Sequence, residues 1–142
     1  HDWEYRHDEI GYNYRMPNLN AALGCAQLEQ LPSMLATKRE LFTRYQTVFS
    51  KVEGIKLMAE PSKCQSNYWL QTLLLNVDHA DQRDVVLKAT NDAGFMTRPA
   101  WILMHELAPF KDCPHMDLAM AQSLTERLLN IPSSSGLVKA AP

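Results

Sequence analysis

The residues best suited to bind a ligand lie near the start of the chain, in the segment formed by Tyr12, Asn13, Tyr14 and Arg15. A guanidinium binds an oxyanion through its charge and its forked geometry, and a neighbouring carboxamide adds a neutral donor. This combination suits a phosphate or a phosphate ester. The alternative is an aromatic loop that packs on its own helix, with Arg15 in a surface ion pair. The four residues by themselves slightly favour that alternative.

A second group of polar and aromatic side chains occurs in TRPAWILMH, residues 97–105. Arg98, which a proline follows, and His105 can bind an anionic or sugar ligand, with Trp101 as one wall of the site. The alternative assigns Trp101 to the core and His105 to a solvated loop, since a single histidine is more often of that kind than a catalyst. The segment is therefore a second candidate for ligand binding.

The chain contains none of the common self-contained catalytic motifs. Neither GxGxxG, GxxxxGK[ST] nor GxSxG occurs, and no pair of histidines has the spacing of a zinc site. Cys113 and His115 have no second pair that would complete a tetrahedral zinc centre, so we expect no metal. The three cysteines are too few and too widely spaced for a disulfide framework, which predicts reduced thiols and a cytoplasmic protein.

Length and composition predict one ordinary globular domain. The chain has 142 residues, of which 46% are hydrophobic and 21% charged. A net charge of −2, with the basic residues spread out, argues against a nucleic-acid or anionic-membrane surface, because both need clustered positive charge. No apolar run approaches the roughly 20 residues of a membrane-spanning helix.

The first half of the chain predicts an extended arm followed by two helices. Residues 1–17 show no regular period although they hold four aromatic residues, so we expect an arm that lies on another surface. Asn18 is a suitable N-cap for a helix that Pro32 ends, and Ser33 can cap a second helix that Gly54 terminates. The first helix has an apolar face of small and aliphatic side chains, which predicts a packing seam: Leu19, Ala22, Leu23 and Ala26.

The second half predicts a small sheet with helices on it. The expected elements are strands over 55–61 and 67–77, a helix over 81–94, a strand over 95–99, a loop over 100–116 and a helix over 117–129. Asp81 and Asp117 are assigned as helix caps, Gly94 as a helix terminator, and TKRE at 37–40 as a solvated helix face. The segment NIPSSS ends the ordered part, and the fold class is α+β (α/β).

These segments together resemble one protein family. GYNYRMPNLNAALGCAQLEQL, residues 11–31, closely resembles the start of the C-terminal part of the DegT/DnrJ/EryC1/StrS family, pyridoxal-phosphate-dependent aminotransferases of nucleotide-linked keto sugars. TRPAWILMH and NIPSS resemble that family's later landmarks in the same order. The sequence is most similar to the subgroup that makes 4-amino-4,6-dideoxy-N-acetylglucosamine nucleotides for bacterial surface polysaccharides.

The resemblance implies the C-terminal small domain of a fold-type I pyridoxal 5′-phosphate-dependent transferase, in a homodimer whose active sites use both subunits. It implies that residues 1–17 belong to the active-site and dimer region, and that 18–142 form the small domain with leading interdomain helices. The roles implied for single residues are cofactor binding by Asn13 and Arg15, and binding of the nucleotide-sugar substrate by Tyr14, Arg98 and His105.

The family's cofactor-binding lysine lies upstream of the matching segment, whereas the first lysine here, Lys38, follows the motif. The resemblance therefore implies a C-terminal piece with no catalytic residue of its own and with its large domain as a partner. Such a piece is expected neither to bind the cofactor tightly nor to transaminate. Two alternatives stay open: a pyridoxamine-phosphate-dependent sugar dehydratase of the same family, and a non-catalytic α+β oligomerisation module. The subgroup resemblance favours an aminotransferase acting on a nucleotide-linked 4-keto-6-deoxy sugar, with a UDP-linked N-acetylhexosamine as the expected substrate.

Overall fold

The computed structural model describes residues 6–139, so Trp3 and Tyr5 of the predicted arm lie outside the described residues. One long helix precedes a small sheet and three shorter helices. In chain order the elements are α1 (Asn18–Phe49), β1 (Ile55–Leu57), β2 (Gln71–Leu75), α2 (Arg83–Asp92), β3 (Arg98–Pro99), α3 (Ala119–Thr125), β4 (Leu128–Ile131) and α4 (Gly136–Lys139). Short 3-10 turns cover Val77–Gln82, Met104–Glu106 and Ala108–Phe110.

The four strands form one antiparallel sheet in the order β1-β2-β4-β3. Burial alternates along β2, where the first, third and fifth residues are buried and the two between them are half-buried. The buried core cluster joins β2 and β4 to α2, and it consists of Leu73, Leu75, Leu87 and Leu129. A helical layer on one antiparallel sheet is an α+β fold, as the sequence predicted.

The long helix α1 does not break at Pro32, so the prediction of two helices is wrong. A proline inside a helix removes one backbone donor, but neighbouring side chains can satisfy nearby carbonyls. The hydroxyl of Ser33 donates to the carbonyl oxygen of Gln30 (2.8 Å), and that of Thr37 donates to the carbonyl oxygen of Ser33 (2.9 Å). Ser33 therefore lies within the helix and does not cap it.

The predicted helix caps Asn18, Asp81 and Asp117 are also wrong. Asn18 is the first helical residue of α1, and Pro17 occupies the cap position without a side-chain hydrogen bond. Asp81 lies in the 3-10 turn before α2, where its carboxylate accepts from the side chain of Gln82. Asp117 accepts from the backbone N–H of Ala119 (3.1 Å), but it precedes Leu118, which holds the cap position of α3 without a side-chain cap bond. A short polar side chain favours several turn geometries as well as a cap, so only the local backbone decides between them.

The largest difference from the sequence prediction is strand β4. Residues 117–129 were predicted as one helix, but helix α3 ends at Thr125 and Leu128–Ile131 pairs with β2 on one side and β3 on the other. A short apolar run is compatible with the period of a helix and with that of a strand, and the neighbouring strands that pair with it decide which of the two forms. The chain also continues past the predicted end of order, into α4.

The predicted packing seam on the first half of α1 is exposed among the described residues. Leu19 is 81% exposed and Leu23 is 62% exposed, whereas Leu41 and Phe42 in the second half are buried. Only the second half of α1 therefore packs on the sheet. None of the helices within residues 6–139 is long and apolar enough to cross a membrane.

Candidate functional site

A groove of about 750 Å³ runs between the second half of α1, strand β3 and the segment that follows β4. Its walls are mostly apolar and aromatic, and they include Trp69, Phe95 and Trp101. Two cationic side chains, Lys38 and Arg98, also line it. An apolar concavity with a few polar groups is the usual form of a small-molecule site.

Arg98, one of the residues predicted to bind a ligand, lies on β3 and lines this groove. Its Nη1 donates to the carbonyl oxygen of Thr97 (3.1 Å) and to Oδ1 of Asn91 (3.4 Å). The Asn91 amide is oriented by donating to the carbonyl oxygen of Leu87 (2.8 Å). Within the described part of the chain, Nε and Nη2 of Arg98 have no partner, so they are available to an anionic ligand.

Two tryptophans form an exposed aromatic wall of the groove. The rings of Trp69 and Trp101 are stacked, with centroids 6.1 Å apart and planes 20° from parallel. Trp69 is 64% exposed and Trp101 is 56% exposed, so the alternative that places Trp101 in the core is wrong. A flat, exposed indole surface beside a guanidinium suits a ligand that has an apolar or aromatic face and a negative charge.

Lys38 is a site residue that sequence reasoning missed, because TKRE was interpreted as a solvated face. The Lys38 ammonium donates to the carbonyl oxygens of Tyr68, Trp69 and Ser133, at 3.3, 3.1 and 2.7 Å. Burial lowers the pKa of this ammonium below its ordinary value. Lys38 lies three residues before the buried Leu41, and residues at that spacing share a helix face. This spacing could have predicted that Lys38 is on the inward face of α1.

His105 lies apart from the groove, in the 3-10 turn Met104–Glu106. Its ring packs against that of His115, with centroids 5.3 Å apart. Its Nε2 is 3.8 Å from a carboxylate oxygen of Glu106, which is an ion pair only when the histidine is protonated. The structure therefore places His105 near β3 along the chain but not among the residues that line the groove.

Asn13, Tyr14 and Arg15 lie on an exposed arm before α1. Oδ1 of Asn13 accepts from the backbone N–H of Arg15 (2.8 Å), and Arg15 has a left-handed backbone with φ of 76°. Tyr14 is 90% exposed. Neither the amide nitrogen of Asn13 nor the guanidinium of Arg15 has a partner in the described part of the chain. This donor set suits a phosphate group.

The arm and the groove lie at opposite ends of α1. At the helical rise of 1.5 Å per residue, Asn18 and Lys38 are separated by about 30 Å along the helix axis. The start of α1 therefore lies about 30 Å along the helix axis from the groove residue Lys38. Within residues 6–139, no group of three or more His, Cys, Asp or Glu residues is arranged to hold a metal ion.

Solved structures of sugar aminotransferases share this fold. PseC of Helicobacter pylori, described as an aminotransferase in the biosynthesis of pseudaminic acid, superimposes with a TM-score of 0.79 at 18% identity, over 92% of this chain and 35% of that chain. A sugar aminotransferase of Streptococcus pneumoniae superimposes with a TM-score of 0.73 at 20% identity, over 84% of this chain and 31% of that chain. At these identities the likeness shows the fold, which is that of a domain found in sugar aminotransferases.

The chain belongs to the DegT/DnrJ/EryC1/StrS aminotransferase family, whose profile matches residues 1–141. It is 32% identical to EpsN of Bacillus subtilis, a protein named as a pyridoxal phosphate-dependent aminotransferase, over 95% of this chain and 35% of that protein. It is 31% identical to the GDP-perosamine synthase of Escherichia coli O157:H7, over 94% of this chain and 35% of the synthase. The chain thus spans about a third of the length of these curated relatives. The family expected from the sequence is confirmed.

Proposed function

We propose that this chain is the C-terminal portion of a pyridoxal-phosphate-dependent aminotransferase that acts on a nucleotide-linked 4-keto-6-deoxy sugar. The expected substrate is a UDP-linked N-acetylhexosamine used in surface-polysaccharide biosynthesis. The observation that carries this proposal is Arg98, which lines a groove walled by Trp69 and Trp101 and keeps unused donors on its guanidinium. A nucleotide sugar has the matching parts, because its phosphates are anionic and its sugar and base have flat, partly apolar faces. The family and the named relatives support the same class of reaction.

The exposed arm is the proposed cofactor-binding element. Asn13 offers its amide nitrogen and Arg15 its guanidinium, and both are donors that a phosphate accepts. In the Asx turn from Asn13 to Arg15, the Asn13 side chain is held by the backbone N–H of Arg15. When bound, pyridoxal 5′-phosphate supplies the group that carries the amino group from an amino-acid donor to the keto carbon of the sugar. The donors of the arm fit that cofactor's phosphate.

The remaining roles concern the substrate. Arg98 binds a phosphate of the nucleotide, and the indole wall contacts a face of the sugar or base. Tyr14 and His105 complete the substrate side in the assembled enzyme. We assign no catalytic residue to this chain, and Lys38 in particular uses its ammonium on three backbone carbonyls.

The proposed assembly is a homodimer in which each site takes residues from both subunits. Residues 1–17 form an arm in the active-site and dimer region, and residues 18–142 form the small domain. The separation of about 30 Å between Asn18 and Lys38 along α1 supports this arrangement, since it sets the start of α1 well away from the groove of the same subunit. The exposed leucines on the first half of α1 are the surface on which the large domain or the partner packs.

Mixed dimers of the complete enzyme test this proposal. One variant carries Asn13→Ala with Arg15→Ala, and the other carries Arg98→Ala, so that each homodimer has two damaged sites. In a hybrid dimer with shared sites, one site holds both changes and the other holds neither. Random mixing of equal amounts should then restore about a quarter of the wild-type rate of sugar amination, because half of the dimers are hybrids.

The control is the same mixture made without subunit exchange. A mixture that stays inactive after proven exchange contradicts shared sites, because every site would then take its arm and its groove from one subunit. A wild-type enzyme that shows no amination of any nucleotide-linked keto sugar contradicts the proposed reaction itself.

A further inference from the structure

The Lys38 ammonium is fully occupied by the protein. It has three N–H donors, and it makes three hydrogen bonds, to the carbonyl oxygens of Tyr68, Trp69 and Ser133. These carbonyls belong to two segments that are far apart in sequence and that both contribute to the lining of the groove. With its three donors used in this way, Lys38 acts on a ligand only through the segments that it joins.

The turn that contains Tyr68 and Trp69 has a backbone that needs support. Tyr68 has φ of 47°, in the left-handed region that a bulky side chain seldom occupies. The N–H groups of the turn are satisfied locally, by the hydroxyl of Ser66 (3.0 Å) and by Oδ1 of Asn67 (2.9 Å). Its two successive carbonyl oxygens instead converge on Lys38. The ammonium therefore stabilises an otherwise unfavourable turn.

The two segments that Lys38 joins differ in the other contacts that hold them in place. The hydroxyl of Ser133 accepts from the backbone N–H of Gln71 (2.7 Å), and the hydroxyl of Tyr45 donates to the carbonyl oxygen of Pro132 (2.9 Å). Tyr68 is anchored by its ring, which stacks on that of Phe42 at 4.3 Å. Among the residues that the structure describes, the exposed indole of Trp69 has no comparable anchor besides its stacking on Trp101, so its position depends most on the backbone that Lys38 binds.

We propose that Lys38 is a positioning residue that holds Trp69 in its stacked arrangement with Trp101, so that the indole wall of the groove forms only when residue 38 can donate to these carbonyls. The arrangement of the wall follows from the contacts of this chain. Its consequence for substrate binding rests on the proposed function.

Circular dichroism of the complete protein tests the arrangement directly. Two indoles stacked at this separation give an exciton couplet, which is isolated by subtracting the spectrum of Trp69→Phe. We expect Lys38→Met, which keeps the aliphatic stem, to lose the couplet, and Lys38→Arg, which keeps charge and donors, to retain part of it. A couplet in Lys38→Met equal to that of the wild type overturns the proposal. If Lys38→Met does not fold, Lys38→Gln replaces it, with a weakened couplet as the expected result and an unchanged couplet as the contrary one.

Steady-state kinetics of the same variants separates positioning from a general loss of structure. Lys38→Met should raise KM for the nucleotide sugar by about tenfold and change kcat by less than about twofold, because binding is weakened and the reacting groups are untouched. The KM of Lys38→Arg should lie between the KM of the wild type and that of Lys38→Met. An equal fall in kcat contradicts a positioning role. A lost couplet with an unchanged KM supports the role of Lys38 and contradicts the substrate site of the proposed function.

Discussion

Arg39 and Glu60 form a two-pronged ion pair that joins α1 to the loop between β1 and β2. Nη1 lies 3.1 Å from Oε1 and Nη2 lies 3.2 Å from Oε2. The same guanidinium donates to the carbonyl oxygen of Ser66 (2.6 Å) and lies over the ring of Tyr68, 5.4 Å from its centroid. Arg39 directly follows Lys38 on α1, so two neighbouring cationic side chains bind the loop that leads to the groove.

The ion pair predicts a pH-dependent stability. The hydrogen bond from Arg39, and then that from the backbone of Ser66, hold the pKa of Glu60 below its ordinary value of 4.5. A lowered pKa in the folded state adds stability above pH 4.5, and this stability is lost as the pH falls through the folded pKa. Glu60→Gln should therefore lower Tm at neutral pH, and the difference from the wild type should shrink below pH 4.5.

Thermal unfolding across this pH range checks the prediction. Glu40→Gln is the matched control, because Glu40 makes an exposed pair with Arg44 on the same helix. Exposed pairs of this kind contribute little to stability, so the control should leave Tm nearly unchanged. A constant difference between Glu60→Gln and the wild type at all pH values would contradict the assigned role of the carboxylate.

Strand β4 should be essential to the core. Leu129 is 1% exposed and lies between Leu73 of β2 and Pro99 of β3. Leu129→Ala should lower the free energy of unfolding by about 2–5 kcal/mol, through lost apolar burial and the cavity left behind. Denaturant titration measures this change in the free energy of unfolding. The same change at Leu19, which is 81% exposed, should have an effect of less than about 0.5 kcal/mol. Similar losses at the two positions would argue against the strand assignment.

Replacing Pro32 should stabilise the protein. The residue lies inside α1, where a proline removes a backbone hydrogen bond and crowds the preceding turn. Pro32→Ala should raise the free energy of unfolding, by up to about 3 kcal/mol. Pro61→Ala in the loop before β2 is the control, and it should be neutral or destabilising by less than about 1 kcal/mol, since it only loosens the unfolded chain. A loss of stability in Pro32→Ala would mean that the packing of α1 requires the proline.

Asn13 should control cofactor retention in the complete enzyme. Asn13→Ala should weaken the binding of pyridoxal 5′-phosphate by about 1–3 kcal/mol, the usual cost of losing a hydrogen bond to a charged group. Asn13→Asp keeps the oxygen that accepts from the N–H of Arg15, but it places a negative charge beside the phosphate. It should therefore weaken binding at least as much. Equilibrium dialysis measures both, and normal retention by Asn13→Asp would limit Asn13 to shaping the turn.

Local patterns were sufficient for the parts of the chain whose conformation depends on near neighbours. The helical period of α1 and the left-handed glycine at 94, which follows the end of α2, reflect short-range geometry and hydrogen bonding. The predicted helix stop at Gly54 is wrong, because α1 ends at Phe49. The family was predicted from one long motif and two later ones in order, and it is confirmed. Arg98 lines the groove, and its predicted role in ligand binding stays a prediction.

Only the tertiary structure decided the features that depend on distant partners. Leu128–Ile131 became a strand because β2 and β3 satisfy its backbone on both edges, which no local period records. Lys38 was predicted to be solvated, but it is half-buried and links two segments, because its carbonyl partners lie 30 to 95 residues away in the chain. The stacking of Trp69 on Trp101 likewise depends on the fold, which brings two segments that are distant in sequence together. The local sequence determines which side chains share a helix face. The carbonyl groups and rings that contact those side chains belong to distant segments, so only the tertiary fold brings them together.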